Sequence, residues 1–162
     1  KDLIHGIHSA DDRTRSFTHV RGGREGYYDW SHITFPRGAS TSNCLLCHKP
    51  GTYELPLAQD LLGTTVRSTT VKDGADDGEE VQDAFDNVPN DTDWINTPAA
   101  SSCFYCHTSW DAMAHMMQNG ALLSMPDGSH ISNRSLIGNA YDSCSVCHGP
   151  GKSADVEAVH NK

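Results

Sequence analysis

The sequence is poor in the apolar side chains from which a protein core is usually built. Hydrophobic residues make up 36% and aromatic residues 7% of its 162 residues, and its mean hydropathy is −0.53. A chain this polar builds only a small core from side chains alone. Either part of it is disordered, or a cofactor fills its interior.

Positive charge and long apolar runs are also scarce. The chain has 12 basic and 21 acidic residues and a net charge of −9, which argues against binding nucleic acid or an anionic membrane by charge. No apolar run approaches the length of about 18 residues that a membrane-spanning helix needs. The sequence starts at Lys1 with no apolar leader, so we expect a mature form or a fragment of a longer protein.

The cysteines, by contrast, follow one pattern. All six lie in three Cys-x-x-Cys-His motifs, namely Cys44–His48, Cys103–His107 and Cys144–His148. This is the attachment signature of a c-type haem. The two thiols add to the two vinyl groups of the porphyrin, and the adjacent histidine gives its imidazole to the iron as the proximal ligand.

Three other interpretations of a Cys-x-x-Cys pair are half a zinc site, a redox dithiol and a structural disulfide. None of them requires a histidine after the second cysteine, and paired zinc half-sites would leave one of three motifs over. We therefore predict three haem c groups, which also supply the missing apolar surface. The predicted covalent residues are Cys44, Cys47, Cys103, Cys106, Cys144 and Cys147, and the predicted proximal ligands are His48, His107 and His148.

Seven further histidines are available as distal ligands. Four lie in short helical patterns and are favoured: His5, His8, His115 and His160. His19, His32 and His130 lie among loop-like residues.

Methionine is the rival sixth ligand, with Met113, Met116, Met117 and Met125 available, but the number of spare histidines favours bis-histidine iron. We expect Met116 and Met117 to pack against a porphyrin face.

The predicted fold is mainly irregular with short α-helices, packed around the haems as a single three-haem domain over residues 1–162. Helices are predicted at Asp2–His8, Asp111–Gln118 and Ala154–Val159. The glycines of residues 19–30 predict a loop in which Tyr27, Tyr28 and Trp30 pack locally. Asn43, Ser102 and Ser143 precede the motifs and are predicted as N-caps.

Residues 72–93 are rich in acidic side chains. A solvated loop is the simpler interpretation, because the spacing of the carboxylates is not that of an EF-hand. The alternative is a calcium ion bound at Asp73, Asp76 and Asp77.

The sequences that flank the motifs carry a family resemblance. They are Ile4–His8, Phe35–Pro36, Cys47–Leu57, Asp91–Asp93, Thr97–Pro98, His115–Met116, Cys144–Gly151 and Val159–His160. In order and spacing they resemble a haem domain of the OmcA/MtrC-type outer-membrane decahaem cytochromes of metal-reducing bacteria. The resemblance implies bis-histidine haems in a closely spaced chain, with extracellular electron transfer as the function.

The resemblance also implies ligand roles for His5, His8, His115 and His160. Haem domains of this family look like five-haem units with two more motifs before the Ile-His-Gly-Ile-His string, so this chain resembles their C-terminal three-haem part. One of the four distal candidates would then serve a haem attached before Lys1. Of the neighbouring pair we expect only one to bind a haem of this chain, with His8 favoured over His5 because it lies further from the chain end.

We therefore expect an electron carrier rather than an enzyme, with metal reduction at an exposed haem edge as the possible terminal activity. The expected partners are redox proteins and other multihaem cytochromes, and the expected acceptors are metal oxides, chelated metals or flavins, without nucleic acid. The alternatives are a multihaem reductase of a small oxyanion and a wiring module in a filament or complex. The expected location is the surface of a Gram-negative cell, with the periplasm as the alternative.

Overall fold

The computed structural model describes residues 1–20, 27–36, 43–67, 90–125, 130–139 and 142–160. Its α-helices are α1 (Asp2–His8), α2 (Ala100–Cys103), α3 (Trp110–Gln118), α4 (Ser145–His148) and α5 (Val156–His160), and its 3₁₀ turns are Cys44–Leu46 and Arg134–Asn139. Two small antiparallel sheets pair β1 (Thr18–Val20) with β2 (Tyr27–Asp29) and β3 (Thr64–Arg67) with β4 (Trp94–Asn96). The prediction of a mainly irregular chain with short α-helices is confirmed.

The three predicted helices are present, with small differences at their ends. Helix α1 has the predicted bounds. Helix α3 begins at Trp110, one residue early, because Ser109 Oγ accepts a hydrogen bond from the amide of Ala112 and so caps the first turn. Helix α5 begins at Val156 rather than at Ala154, because the Asp155 carboxylate accepts the amide of Glu157.

Two local predictions are wrong in part. The predicted loop over residues 19–30 contains parts of β1 and β2, in which His19 lies opposite Tyr28. The predicted local packing of Tyr28 and Trp30 is confirmed, with ring centroids 5.9 Å apart. The capping prediction holds only for the position of Asn43, which is the N-cap residue of the first motif's turn; Ser102 lies inside α2. The Ser143 hydroxyl donates to the Asn119 carbonyl instead of capping, and the Asn43 side chain makes no capping bond.

The core is small and lies where α1, α2 and α3 meet. Its larger members are Phe17, Phe104, Tyr105, Met113, Met116, Leu123 and Met125. Three of the four methionines that competed as iron ligands are thus buried in the side-chain core. Met117 is partly buried and packs against the same core.

Gly6 allows α1 to approach this core closely. A Cβ atom at Gly6 would lie 2.6 Å from two ring carbons of Phe17 and 2.8 Å from Tyr105. No larger side chain fits there unless the helix or the rings move. The face of α1 that carries Gly6 is therefore fixed against the core.

Candidate haem sites

Each motif histidine has one of the predicted distal histidines beside it. The ring centroids of His5 and His48 are 5.9 Å apart, those of His107 and His160 are 5.9 Å apart, and those of His115 and His148 are 6.0 Å apart. The three pairs use six different histidines. The fold thus brings one partner to every motif.

The separation within the pairs matches the geometry of two axial ligands. A bond between a metal ion and an imidazole nitrogen is about 2 Å long, so two imidazoles on opposite sides of one ion have ring centroids roughly 6 Å apart. The ring planes within the pairs differ, at 27° for His5 and His48 and 78° for His107 and His160. Both angles are compatible with two imidazoles bound to one metal ion, because each ring can rotate about its own metal–nitrogen bond.

The other four histidines lie elsewhere. The ring centroid of His8 lies 6.1 Å from that of Phe35. The structure therefore brings His5, and not His8, to a motif histidine. His130 packs beside Trp110 at 6.0 Å, and His32 is exposed.

His19 is occupied by a neighbour. The indole N–H of Trp30 donates to its Nδ1 at 2.7 Å, and its ring stacks on Tyr28 and Trp30. With Nδ1 accepting, the hydrogen of the neutral imidazole is on Nε2, so neither nitrogen offers a lone pair to a metal.

Each motif folds as one helical turn. The amide of the motif histidine donates to the carbonyl of the first cysteine at 2.9 Å in all three copies, from His48 to Cys44, from His107 to Cys103 and from His148 to Cys144. The bond spans four residues, as in an α-helix. This turn brings both thiols and the imidazole of each motif close together.

Two of the six paired imidazoles are held by backbone carbonyls. His148 Nδ1 lies 3.0 Å from the carbonyl oxygen of Ala154, and His160 Nδ1 lies 2.9 Å from that of Val156. A carbonyl only accepts, so in both rings Nδ1 carries the hydrogen and Nε2 keeps its lone pair. This is the usual arrangement of a metal-binding histidine.

The comparison with known families agrees with this arrangement. A family model described as outer membrane cytochrome MtrC/MtrF-like, domains II/IV, matches residues 1–161. The chain belongs to this family. The resemblance to the OmcA/MtrC-type cytochromes is thereby confirmed. No curated protein matches the chain, and no solved structure does so.

Membership of this cytochrome family implies that the cofactor is haem c. It also implies that the general role is multihaem electron transfer in extracellular respiration. The family name also supports a position at the outer membrane and electron exchange with other cytochromes. Among the described residues, no helix is long and apolar enough to cross a membrane.

The side chains around the histidine pairs fit a porphyrin. Apolar residues beside the paired histidines and between the thiols are exposed: Ile4 (59%), Leu46 (52%), Val146 (68%) and Val159 (44%). Ile4 and Val159 adjoin His5 and His160, whereas Leu46 and Val146 lie between the paired thiols. A large apolar ring at each site would cover such surface.

Two of the paired imidazoles, His5 and His107, have a lowered pKa. Burial lowers the pKa of His5, and the neighbouring His48 lowers it further. Burial likewise lowers the pKa of His107, followed by the effects of His160 and His148. A lowered pKa favours the neutral imidazole, which is the form that binds metal.

The thiols form no disulfides, and some of them affect the pKa of a thiol in another motif. All six described cysteines are free of disulfides. Burial raises the pKa of Cys103 to about 12, with Cys144 as the next cause. Burial also raises the pKa of Cys44, to which Cys106 adds. The second motif of this cytochrome therefore has electrostatic neighbours in both the first and the third.

Residues outside the motifs hold the third motif in place. Asp142 accepts hydrogen bonds from Thr97 Oγ1 at 3.0 Å and from the Ala99 amide at 3.2 Å, next to the start of α2. Burial raises the pKa of Asp142. The amide and hydroxyl of Ser143 both donate to the carbonyl of Asn119, at the end of the helix that carries His115.

Two acidic residues after the motifs were missed by the sequence analysis. The first and third motifs continue with the same Pro-Gly pair, and Gly51 and Gly151 have φ values of +80° and +72°. The amide of Gly51 donates to Glu54 at 2.9 Å, and that of Gly151 to Asp155 at 2.6 Å. The repeated Cys-His-x-Pro-Gly string, followed by an acidic residue, was the signal that could have found them.

The predicted calcium site cannot be placed with the others. Asp73, Asp76 and Asp77 lie within residues 68–89, outside the described residues. In the part of the chain that is described, no group of three or more His, Cys, Asp or Glu side chains is arranged to hold a metal ion.

Proposed function

We propose that this chain binds three bis-histidine haem c groups and passes single electrons along them. The observation that carries the proposal is the set of three histidine pairs with centroids 5.9–6.0 Å apart. The proposed axial pairs are His48 with His5, His107 with His160, and His148 with His115. The thiols of Cys44 and Cys47, Cys103 and Cys106, and Cys144 and Cys147 would form the thioether bonds.

The second haem is the proposed middle of the relay. Its cysteines have neighbours in both other motifs, since Cys106 affects the pKa of Cys44 and Cys144 affects that of Cys103. Its proximal ligand His107 also has His148 as an electrostatic neighbour. On the basis of these electrostatic effects we propose the order first, second and third haem.

The protein's contribution is to bind, orient and enclose. Bound haem supplies the one-electron redox chemistry. Two histidines held for each iron would leave no position for a small oxyanion. Electron exchange with a partner therefore takes place at a haem edge, so we propose an electron carrier rather than a small-oxyanion reductase.

The acceptors and the parent protein are inferred from the family. We propose metal oxides, chelated metals or flavins as terminal acceptors and other multihaem cytochromes as partners, at the cell surface. Residues 1–162 would form one three-haem domain of a longer multihaem protein. The support is the family match over residues 1–161.

The test begins with covalent haem. After acid–acetone extraction the denatured chain should be heavier by three groups of about 616 Da each. The oxidised spectrum should be fully low-spin, without the charge-transfer band near roughly 695 nm of methionine-bound iron.

Replacement of His115 or His160 by alanine should convert one haem to high spin. The matched control His19→Ala should not. An unmodified chain, or a low-spin spectrum in both ligand variants, would overturn the proposal.

A further inference from the structure

One short segment supports ligands of two different haem sites. Residues 149–160 follow the third motif and end with α5, which carries His160. The carbonyl of Ala154 in this segment accepts from His148 Nδ1 at 3.0 Å. Under the proposed function, His160 is the distal ligand of the second haem and His148 the proximal ligand of the third.

Asp155 lies at the centre of this segment and joins its two halves. One carboxylate oxygen accepts the amide of Gly151 at 2.6 Å, and the other accepts the amide of Glu157 at 2.9 Å. The first bond closes the turn after the third motif. The second caps the first turn of α5, whose four initial amides lack partners within the helix.

Backbone hydrogen bonds of the segment connect the two bonds of Asp155 to His148 and His160. The Ala154 amide donates to Cys147 at 3.2 Å, and the Asp155 carbonyl accepts from Val159 at 3.0 Å. In α5 the carbonyl of Val156 lies 2.9 Å from His160 Nδ1. A shift of the turn would therefore move the hydrogen-bond acceptor of His148, and fraying of α5 would release His160.

We propose that Asp155 is a positioning residue for two haems. It holds His160 as the distal ligand of the haem attached at Cys103 and Cys106. Through Ala154 it also holds His148 in the orientation and tautomer that it needs as the proximal ligand of the haem attached at Cys144 and Cys147. The inference rests on the proposed function and couples neighbouring haems through one side chain.

The chemistry of the site explains why a carboxylate is present. Two separate amides donate to it, and a carboxylate has an acceptor oxygen for each. Asparagine has one acceptor oxygen and an amino group that would face one of the two donors. Asp155 is not part of the buried core, so its replacement leaves the main packing of the chain unchanged.

The experiment compares Asp155→Ala and Asp155→Asn with Glu157→Ala in the full holoprotein. Glu157 is exposed and lies two residues from Asp155. Its replacement by alanine removes the same negative charge as Asp155→Ala. High-spin iron is measured by electron paramagnetic resonance, and individual haem potentials by redox titration followed by NMR.

We expect Asp155→Ala to convert up to one third of the iron to high spin, because one haem of three would lose His160. The potential of the third haem should rise, because a lost hydrogen bond makes His148 a less basic ligand. Asp155→Asn should show a smaller change in both measurements, and Glu157→Ala should show none.

The outcomes separate the inference from the proposed function. If His160→Ala gives one high-spin haem and Asp155→Ala matches Glu157→Ala in both measurements, the positioning role is overturned and the relay stands. If His160→Ala stays low-spin, the ligand assignment itself fails. If Asp155→Ala does not mature, Asp155→Asn decides: more high-spin iron than the control supports the role, and an equal amount overturns it.

Discussion

At the scale of single residues, the choice between His5 and His8 shows what a helix turn does to a ligand. The two histidines are three positions apart on α1 and equally suited by type. Gly6 fixes one face of α1 against Phe17 and Tyr105. In this orientation His5 reaches His48, whereas His8 faces Phe35.

The first prediction follows from that geometry. His5→Ala should leave the haem attached at Cys44 and Cys47 high-spin, because its iron loses the distal ligand. His8→Ala is the matched control and should leave the spectrum of this chain unchanged. Electron paramagnetic resonance of the two purified variants decides between them. High-spin iron in His8→Ala alone would assign the ligand to His8 instead.

A second prediction concerns acid. Hydrogen bonds from backbone N–H groups lower the pKa of two carboxyl groups. The main donor is Gly51 for Glu54 and Gly151 for Asp155. A lowered carboxyl pKa means that the ionised form stabilises the folded state. This contribution is complete above the ordinary carboxyl pKa of about 4 and is lost as the pH falls through the lower folded value.

We therefore expect the low-spin signal to weaken on acidification through this range, and Glu54→Gln and Asp155→Asn to retain less of that pH dependence. The measurement is an acid titration of the visible spectrum. Identical titration curves for the wild type and both variants would contradict the role of these carboxylates.

At the scale of elements, short helices carry the proposed ligands, and the contacts of each helix decide which motif its histidine reaches. Helix α3 carries His115 and buries Met113 and Met116 in the core. The end of α3 also accepts hydrogen bonds from Ser143, directly before the third motif. One helix thus brings His115 to the motif that contains His148.

The third prediction tests α1 as such a carrier. Gly6→Ala places a methyl group 2.6 Å from the Phe17 ring, so α1 or the ring must move. Overpacking of this kind costs about 1–3 kcal/mol in the free energy of unfolding. We expect this loss in denaturant titration, together with high-spin iron at the haem of Cys44 and Cys47.

The exposed Asp11, just after α1, gives the control Asp11→Ala, for which we expect wild-type stability and spectrum. A Gly6→Ala protein with both properties unchanged would show that the close approach of α1 does not position His5.

At the scale of the whole molecule, the three motifs form one connected group. The cysteines of the second motif have electrostatic neighbours in the first and in the third. In a relay of this order the second haem exchanges electrons with both others.

The fourth prediction is that reducing the first or the third haem lowers the potential of the second, because a nearby added negative charge opposes a further electron. The mutual effect of the outer haems should be smaller. Redox titration followed by NMR measures these interactions. The largest interaction between the first and third haems would contradict the proposed order.

The sequence by itself determined the chemistry of this protein, because covalent haem attachment requires cysteines and histidine at fixed spacing within one turn. It also determined the family, and it predicted the helices that carry His5, His115 and His160, because helix formation follows from local patterns and caps. The glycines before Tyr27 were assigned to a loop together with the strands on either side, because glycines between two short runs fit a loop as well as the connection of a β-hairpin.

Only the tertiary structure decided which histidine lies beside which motif, and that Asp155 joins two of the sites. Such pairings depend on packing between segments as far apart as His5 and His48, or His107 and His160, and on the contact of Gly6 with Phe17 and Tyr105. Residue type and spacing do not determine the direction in which the histidine of a helix points. That direction is set by the core against which the opposite face of the helix is packed.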